Sequence, residues 1–364
     1  MPIASFNATK YRRGRCFLLP FVGDGYSAPM TVPPYPIFIL AGILLLIVWW
    51  AVGFTSRRLM ARGILDVPNE RSSHVVPTPR GAGLALIPCL CVGWVACFPV
   101  LGLAIPTYVW VVMAGTALLA SVSWRDDQNP VSPLIRFVAQ WIAVLGVLIL
   151  APLTGLVFQG FLPPALDIAL TAVLWVWFIN VYNFMDGLDG ITGVQTASVG
   201  IGVIFVAGLS HQGVLSQAHG LMLIAASIGF LRWNWHPAKI FMGDVGSIGL
   251  GFLIGWLLLT IAAQGQPVPA LILVLYYAGD ATVTVIRRAV RGEKIWQAHR
   301  EHFYQRAVQQ GQTHAQVSAQ IFILNLGLIG CASVATLYHK PWIGLAVAAV
   351  MVAMTMAHFR KPLL

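Results

Sequence analysis

Two adjacent aspartates end the third long apolar segment of the chain. Asp126 and Asp127 would point about 100° apart on a helix, so their carboxylates can do two different jobs. One would hold a cation or act as a base, while Arg125, Arg136 or the backbone holds the other. Like charges this close also raise one pKa of the pair, which suits a carboxylate that must take up a proton. Taken alone, the pair is also typical of a helix cap with solvated charges.

Three further aspartates lie beside apolar segments. Asp186 and Asp189 are spaced i,i+3, which places both carboxylates on one face of a helical turn. Asp244 comes just before Gly246 and Ser247, at a helix start where free N–H groups favour phosphate and the carboxylate can hold the accompanying Mg²⁺. Ordinary turns and helix caps use the same residue types. Placing acids at the edge of an apolar segment costs free energy, so acids found there usually have a function. This favours a functional interpretation of the three aspartates.

Basic and aromatic side chains accompany these acids. His299 and His302, also spaced i,i+3, lie in a loop with Arg300 and other basic residues that would attract a pyrophosphate. A zinc site is disfavoured for this pair, because no Cys is near and the spacing is not that of H-E-x-x-H. Arg80 lies in a Ser-, Thr- and Gly-rich loop that suits a lid over phosphates. Phe241 would stack on a base or anchor the membrane interface.

Membrane-spanning helices must position these residues. The 364 residues are 58% apolar and only 9% charged, with a mean hydropathy of +0.79, whereas soluble proteins carry about 25% charged residues. Soluble, disulfide-rich and disordered classes are therefore excluded. The apolar blocks are long enough to cross a hydrocarbon core about 30 Å thick as helices. The sequence predicts an all-α polytopic integral membrane protein with about eleven transmembrane helices, near residues 35–54, 83–102, 105–123, 134–152, 166–182, 192–209, 219–233, 246–263, 268–286, 317–337 and 341–358.

The distribution of charge predicts which face carries the chemistry. Seventeen of the 22 Lys and Arg residues fall in the odd-numbered loops and the C-terminal tail, which the positive-inside rule places in the cytoplasm. Nine of the 12 Asp and Glu residues lie in or beside the same loops, although carboxylates contribute little to topology. The simplest cause is an active site on the cytoplasmic face. The net charge of +10 thus comes mainly from basic residues in the cytoplasmic loops, and no nucleic-acid partner is expected.

One transmembrane domain is predicted over residues 34–364, after a polar N-terminal tail at 1–33. Met30 immediately precedes the first apolar block, so we hypothesise that the native chain starts there. The five cysteines make no metal or disulfide pattern, because the C-x-C of Cys89 and Cys91 has no His or further Cys at ligand spacing. The cytoplasmic loops of the domain are expected near 55–82, 124–133, 183–191, 234–245 and 287–316.

Five segments, in this order, resemble motifs of the polyprenyl-phosphate N-acetylhexosamine-1-phosphate transferases. They are Pro77–Gly83, Asp126–Asp127, Asn183–Gly190, Phe241–Ser247 and His299–His302. The likeness runs from about residue 57 to 306, and the flanking spans extend it to nearly the whole chain. This family, glycosyltransferase family 4, includes the phospho-N-acetylmuramoyl-pentapeptide transferase and the initiators of O-antigen, enterobacterial common antigen and teichoic acid synthesis.

The resemblance implies a Mg²⁺-dependent transfer of N-acetylhexosamine-1-phosphate from a UDP-sugar to undecaprenyl phosphate. UMP would be released, and an O-antigen-like lipid-linked intermediate would be started. Mn²⁺ is an alternative ion. The expected location is the bacterial inner (cytoplasmic) membrane, as a multi-pass protein within the lipid bilayer, and the likeness is compatible with a homodimer. By similarity, Asp244 is the Mg²⁺ ligand, and Asp126 deprotonates or positions the lipid phosphate with Asp127 beside it.

The remaining matched residues would bind the sugar nucleotide. By similarity they are Asn183, Asp186 and Asp189 on the nucleotide side, Asn234 and Phe241 at the uracil, and Arg80, His299, Arg300 and His302 at the pyrophosphate or sugar. Asp280, within the ninth block, is predicted to face the interior or a helix partner, and its replacement by Asn is expected to affect mainly stability.

The last motif departs from the peptidoglycan enzyme, in which three successive histidines are expected. Here Arg300 and Glu301 separate the two histidines, which looks more like the O-antigen-type initiators and leaves the donor sugar open. Two other functions share part of this pattern. An intramembrane prenyltransferase would share the Asn183-x-x-Asp-x-x-Asp189 pattern but needs a second Asp-rich motif. A transporter of anionic substrates usually places its charges near the bilayer midplane and not at one interface.

Overall fold

The computed structural model describes residues 35–68, 76–294 and 299–360, and most of them are helical. A spanning segment must satisfy its backbone hydrogen bonds internally, and the helix is the way a single segment does so. Proline opens α4, α5, α9 and α13, where its missing N–H has no partner to lose. The helices are α1 (Tyr35–Ala61), α2 (Gly83–Val100), α3 (Thr107–Gln128), α4 (Pro133–Leu150), α5 (Pro164–Phe184), α6 (Ile191–Leu209), α7 (Val214–Asn234), α8 (Asp244–Ala263), α9 (Pro267–Ile272), α10 (Leu275–Val290), α11 (Phe303–Gln309), α12 (His314–Leu337) and α13 (Pro341–His358).

Several sequence predictions lie outside the described residues. These are the N-terminal tail with the proposed start at Met30, the part of the first loop at 69–75, the part of the later loop at 295–298, and the last residues from Lys361.

The chain is a multi-pass membrane protein, as predicted. Among the described residues, ten helices are long and apolar enough to cross a bilayer. They match ten of the eleven predicted blocks, including the pair that a short polar loop separates between Leu209 and Val214. The block at 268–286 differs, because it forms two shorter helices, α9 and α10, joined at Leu273–Val274. Hydropathy does not distinguish such a break from a continuous helix.

Helix α8 lies at the centre of the bundle and carries the site. It packs against α2, α3, α5, α6 and α9. Its glycines let neighbouring helices approach closely, since a Cβ on Gly251 would lie 3.0 Å from the Ile179 backbone, and a Cβ on Gly249 would lie 2.8 Å from the Ile87 side chain. Close contact on several sides fixes the position of the α8 N-terminus, and hence of Asp244.

The described parts of the loops that follow α1, α3, α5, α7 and α10 meet at one face. A two-residue antiparallel pairing of β1 (Leu65–Asp66) with β2 (Thr78–Pro79) lies there. The tyrosine hydroxyl of Tyr304, in α11, donates to the Phe184 carbonyl at 2.9 Å. At the other end of the bundle, Asp167 accepts the Val157 and Phe158 N–H groups at 3.1 and 2.8 Å. The fold therefore gathers the five motif segments at one end.

Candidate active site

Backbone hydrogen bonds hold the segment around Arg80 against the segment that precedes α8. The Phe241 N–H donates to the Pro79 carbonyl at 2.8 Å, and the Phe241 carbonyl accepts from Gly81 and Ala82 at 3.1 and 3.0 Å. The starts of α2 and α8 touch, since a Cβ on Gly83 would overlap the Gly246 backbone. These contacts need glycine on both helices and bring the Pro77–Gly83 and Phe241–Ser247 motifs together.

Two arginines converge on Asp244. The Arg80 guanidinium donates a hydrogen bond to Asp244 Oδ1, and its Nε lies 3.4 Å from Asp127 Oδ1. Arg136 Nη1 lies 3.9 Å from Asp244 Oδ2. Burial opposes the charge on Arg80, but the Asp244 and Asp127 carboxylates hold the pKa of Arg80 above its usual value. Acids from α3 and α8 thus share their positive partners.

The adjacent aspartates do different jobs, as their divergence on the helix predicted. Asp126 Oδ2 accepts from Arg136 Nη1 at 2.7 Å, and Asp126 Oδ1 accepts from the Val131 N–H at 2.7 Å. Asp126 therefore closes the turn between α3 and α4. Asp127 Oδ2 is buried without a hydrogen-bond partner in the part of the chain described, and it would lie 3.3 Å from a Cβ on Gly243. An orphaned carboxylate oxygen beside Asp244 suits an added cation or a proton.

Asp186 completes the acidic cluster. Its Oδ1 accepts from the Thr192 hydroxyl at 2.5 Å. Burial raises the pKa of Asp186 to about 7, although the Thr192 hydrogen bond and Arg80 oppose the shift, while Asp244 and Asp127 add to it. A carboxyl group held near neutrality in this way is poised to ionise when a divalent cation binds.

We expect Asp186→Asn to stabilise the metal-free protein at alkaline pH. The raised pKa means that folding favours the protonated form. The wild type therefore loses stability as the pH rises from the ordinary value of 3.8 through about 7. Asparagine carries no such charge, so its advantage should grow over that window to roughly 1–2 kcal/mol, after allowance for partial exposure. Thermal unfolding in EDTA from pH 5 to 8.5 measures this. A variant that unfolds below the wild type at pH 8 would contradict the assignment.

Asp189 points into a second cluster, away from Asp186. Asp189 Oδ2 lies 2.7 Å from His236 Nδ1 and accepts the Ala238 N–H at 3.2 Å, while Oδ1 lies 3.2 Å from His314 Nδ1. Burial alone would raise the pKa of Asp189, but hydrogen bonds with His314 and His236 hold it below its usual range. Both carboxylate oxygens are thus engaged with protein groups. Sequence reasoning missed His236 and His314, because they lie 47 and 125 residues from Asp189.

Asn234 and Asn183 frame the turn that carries these aspartates. The Asn234 amide accepts the Gly190 N–H and donates to the Ile240 carbonyl, both at 2.9 Å. Asn234 is buried, so its amide joins the Gly190 turn to the segment before α8. Asn183 lies in the last turn of α5, where its carbonyl accepts the Asp186 N–H at 3.1 Å. Their contacts with a nucleotide stay predictions.

The histidine loop is organised by Asp280. This carboxylate is fully buried and accepts from His302 Nδ1 at 3.1 Å and from the Phe303 and Tyr304 N–H groups at 3.0 and 3.2 Å. The His302 ring is buried and lies 4.8 Å from that of His299, which is partly exposed. Asp280 therefore orients His302 and anchors the first turn of α11.

His299 and Arg300 occupy the more accessible part of this loop. Burial, His302 and Arg288 lower the pKa of His299 to about 4, so its ring is neutral near pH 7 and offers hydrogen bonds instead of charge. Both residues are partly exposed, and the Arg300 carbonyl accepts from Gln309 Nε2 at 2.7 Å. The loop reaches the Asn183–Gly190 segment through Tyr304, whose hydroxyl a Cβ on Gly187 would overlap.

Asp280→Asn should unfold at a lower temperature than the wild type. The amide leaves buried N–H donors without a full set of acceptors, which costs about 2–3 kcal/mol. Tyr276→Phe is the matched control. It removes one hydroxyl donor at 3.0 Å from the same carboxylate and should cost about 1 kcal/mol or less. A purified Asp280→Asn protein that keeps its melting temperature yet loses turnover would show that stability is not the main role.

Comparison with known proteins finds a likeness to one family of transferases. Residues 109–262 match the model of glycosyl transferase family 4. The chain is 29% identical to a "Probable undecaprenyl-phosphate N-acetylglucosaminyl 1-phosphate transferase" of Bacillus subtilis, over 80% of this chain and 82% of that protein. It is 28% identical to a decaprenyl-phosphate N-acetylglucosaminephosphotransferase of Mycobacterium tuberculosis, over 83% of each.

A third relative matches a shorter part of the chain. A phospho-N-acetylmuramoyl-pentapeptide-transferase of Mycolicibacterium smegmatis is 27% identical, over 50% of this chain and 54% of that protein. The family likeness that the motifs predicted is confirmed by these matches.

Proposed function

We propose that this chain, which resembles glycosyltransferase family 4 over residues 109–262, transfers N-acetylglucosamine-1-phosphate from UDP-N-acetylglucosamine to undecaprenyl phosphate and releases UMP. One observation carries the proposal. Asp127, Asp186 and Asp244 face Arg80 and Arg136 at one end of a membrane bundle. The curated relatives bear the names of N-acetylglucosamine-phosphate transferases that act on polyprenyl phosphates, which favours this sugar over other N-acetylhexosamines.

The acidic cluster fits a Mg²⁺ ion. Mg²⁺ takes oxygen ligands, commonly one or two carboxylates together with substrate phosphates. Asp244 would hold it, with Asp127 or Asp186 beside it, and the unpaired Asp127 Oδ2 provides an oxygen for this purpose. Bound there, the ion would neutralise charge on the phosphates. Mn²⁺ would satisfy the same oxygen ligands.

The two arginines and Asp127 would align the phosphates. In the reaction, an oxygen of the lipid phosphate bonds to the phosphorus that carries the sugar, and the bond from that phosphorus to the UMP oxygen breaks. Phosphoryl transfer of this kind depends on positioning and charge neutralisation more than on a protein nucleophile. Arg80 and Arg136 can turn from Asp244 to phosphate oxygens, because a guanidinium donates to either partner in the same geometry. Asp127 then accepts a proton from the lipid phosphate or holds it in line.

The lipid and the membrane set the location of the site. A polyprenyl chain stays in the bilayer, so its phosphate reaches only the interface, where the acids gather. The positive-inside rule and the basic loops on this face support a cytoplasmic site, in the inner membrane of a bacterium. The product would start a lipid-linked intermediate of a cell-surface polysaccharide. A homodimer stays a prediction from the family likeness.

Release of UMP by the purified protein tests the proposal. The protein in detergent would receive undecaprenyl phosphate, Mg²⁺ and, in separate reactions, UDP-N-acetylglucosamine, UDP-N-acetylgalactosamine and UDP-glucose. UMP formed with the first sugar alone, and lost in EDTA, is expected. UMP from another donor would change the sugar, while folded protein that releases none would overturn the function. A prenyltransferase would release pyrophosphate, and a transporter would release no UMP.

A further inference from the structure

Two histidines and one aspartate from three separate segments converge beside the acidic cluster. Asp189 lies between α5 and α6, His236 lies between α7 and α8, and His314 is the first residue of α12. One donor atom from each lies within 4.8 Å of the others. We propose that these residues form a binding site for a divalent transition-metal ion of the zinc class, separate from the magnesium-binding acids. The inference does not rest on the proposed function.

The spacing of the donor atoms suits a tetrahedral ion. Zinc–nitrogen and zinc–oxygen bonds of about 2.0–2.2 Å place neighbouring ligand atoms about 3.3 Å apart at tetrahedral angles. Asp189 Oδ1 lies 3.2 Å from His314 Nδ1, and Oδ2 lies 2.7 Å from His236 Nδ1. These two distances involve different oxygens of the carboxylate, and the three donor atoms lie within 4.8 Å of one another, so the ligands must close around an ion. His236 is the exposed member and has the most freedom to move.

The donor types select the metal. Imidazole nitrogen binds Zn²⁺ and similar ions well, whereas Mg²⁺ prefers oxygen ligands and keeps much of its water. Two imidazoles and one carboxylate are also the protein ligands of several zinc sites that leave a fourth position open. The His236 side chain is 39% exposed, while those of Asp189 and His314 are below 10%. Solvent can therefore supply the fourth ligand from the His236 side.

Surrounding contacts hold the ligands in place without an ion. The Ser318 hydroxyl donates to the Asp189 carbonyl at 2.8 Å. The adjacent Gly190 N–H donates to the Asn234 amide, two residues before His236. Thr313 caps α12 by accepting the Gln316 N–H at 3.2 Å, which fixes the turn that carries His314. Such supporting hydrogen bonds are typical of metal sites, where they orient the ligands.

Zinc here would clamp the start of α12 to the loop that leads to Asp244. The role is structural or regulatory, since the cluster belongs to neither the arginines nor the acids that face the phosphates. The competing explanation is that imidazole N–H groups simply donate to Asp189, which produces the same contacts with no metal. Measured metal binding separates these two explanations.

Zinc binding by the purified full chain is the test. Protein stripped with EDTA and then freed of the chelator would be titrated with ZnCl₂ by calorimetry, and elemental analysis after gel filtration would count the bound ions. We expect one Zn²⁺ per chain, at least about tenfold weaker binding in His236→Ala and His314→Ala, and no competition from Mg²⁺. His339→Ala, in the exposed turn between α12 and α13, is the matched control and should bind as the wild type.

Thermal unfolding shows whether a variant that fails to bind zinc is still folded. Zn²⁺ should raise the unfolding midpoint of the wild type and of His339→Ala, but not that of His236→Ala, which alters an exposed side chain. No zinc uptake by the wild type, or equal uptake by His236→Ala and His314→Ala, would overturn the proposal. UMP release is measured on the same samples. A failure of the zinc proposal can therefore be distinguished from a failure of the proposed transferase function.

Discussion

Asp244→Asn is expected to lower kcat for UMP release by about 10³-fold, which corresponds to about 4 kcal/mol of transition-state stabilisation. Asp244 receives Arg80 on one carboxylate oxygen and lies near Arg136 on the other. Asparagine removes the negative charge that would hold Mg²⁺. It also removes the anionic partner of the Arg80 and Arg136 guanidinium groups. The geometry of the α8 N-terminus should survive, because the two side chains have nearly the same shape.

The control for Asp244→Asn is a matched substitution at the opposite end of the bundle. Asp167→Asn replaces a buried carboxylate in the same way, but Asp167 accepts two backbone N–H groups far from the arginines, whereas Asp244 is only partly buried. It should lower the melting temperature and leave kcat per folded molecule within about twofold. Activity would be measured over a range of Mg²⁺ concentrations. If Asp244→Asn keeps more than a tenth of wild-type activity at saturating Mg²⁺, Asp244 is not the principal metal ligand.

The second large effect is expected at Asp127, with a smaller one at its neighbour. Asp127→Asn should lower kcat by about 10²-fold or more, the range of positioned acid–base groups. Its buried Oδ2 lacks a partner among the described residues and faces the start of α8. Asp126→Asn should lower kcat by less than roughly tenfold. Its main effect should be a lower thermal stability, because Asp126 binds Arg136 and the Val131 N–H.

Comparing the two variants decides which aspartate acts as the base. Steady-state kcat and KM for undecaprenyl phosphate would be measured from pH 6 to 9, beside the thermal unfolding midpoint of each protein. Loss of kcat with an unchanged midpoint in Asp127→Asn, and the reverse in Asp126→Asn, is the expected pattern. The opposite pattern would return the base to Asp126, where the family resemblance puts it.

Much of the architecture could be predicted because a bilayer imposes it. Each spanning segment must be apolar over about 20 residues and must form its hydrogen bonds internally, so hydropathy alone locates the helices. Ten of the predicted blocks are single helices. The block that became α9 and α10 shows the limit, because the break at Leu273–Val274 lies in an uninterrupted apolar run.

The sequence named candidate residues for the site but did not predict which of them pair with one another. Asp126, Asp127, Asp186 and Asp244 stood out as acids at the ends of apolar segments. The sequence does not show that Asp126 closes a turn while Asp127 keeps a free oxygen. The different roles of the two aspartates depend on the positions of Arg136 in α4 and of Arg80 in the segment before α2. Predicted nucleotide contacts of Phe241, His299 and Arg300 stay predictions.

Asp189 shows most clearly what tertiary structure decides. Its i,i+3 spacing from Asp186 suggests two carboxylates on one helical face, but both residues lie in the turn between α5 and α6. Thr192 holds Asp186 near the arginines, whereas His236 and His314 bind Asp189. The sequence by itself determined the membrane class, the helices and the motif-bearing loops, because these follow from residue types along a short stretch. Partners 47 and 125 residues away meet only once helices pack, so the folded bundle alone decides which acid lies near the arginines.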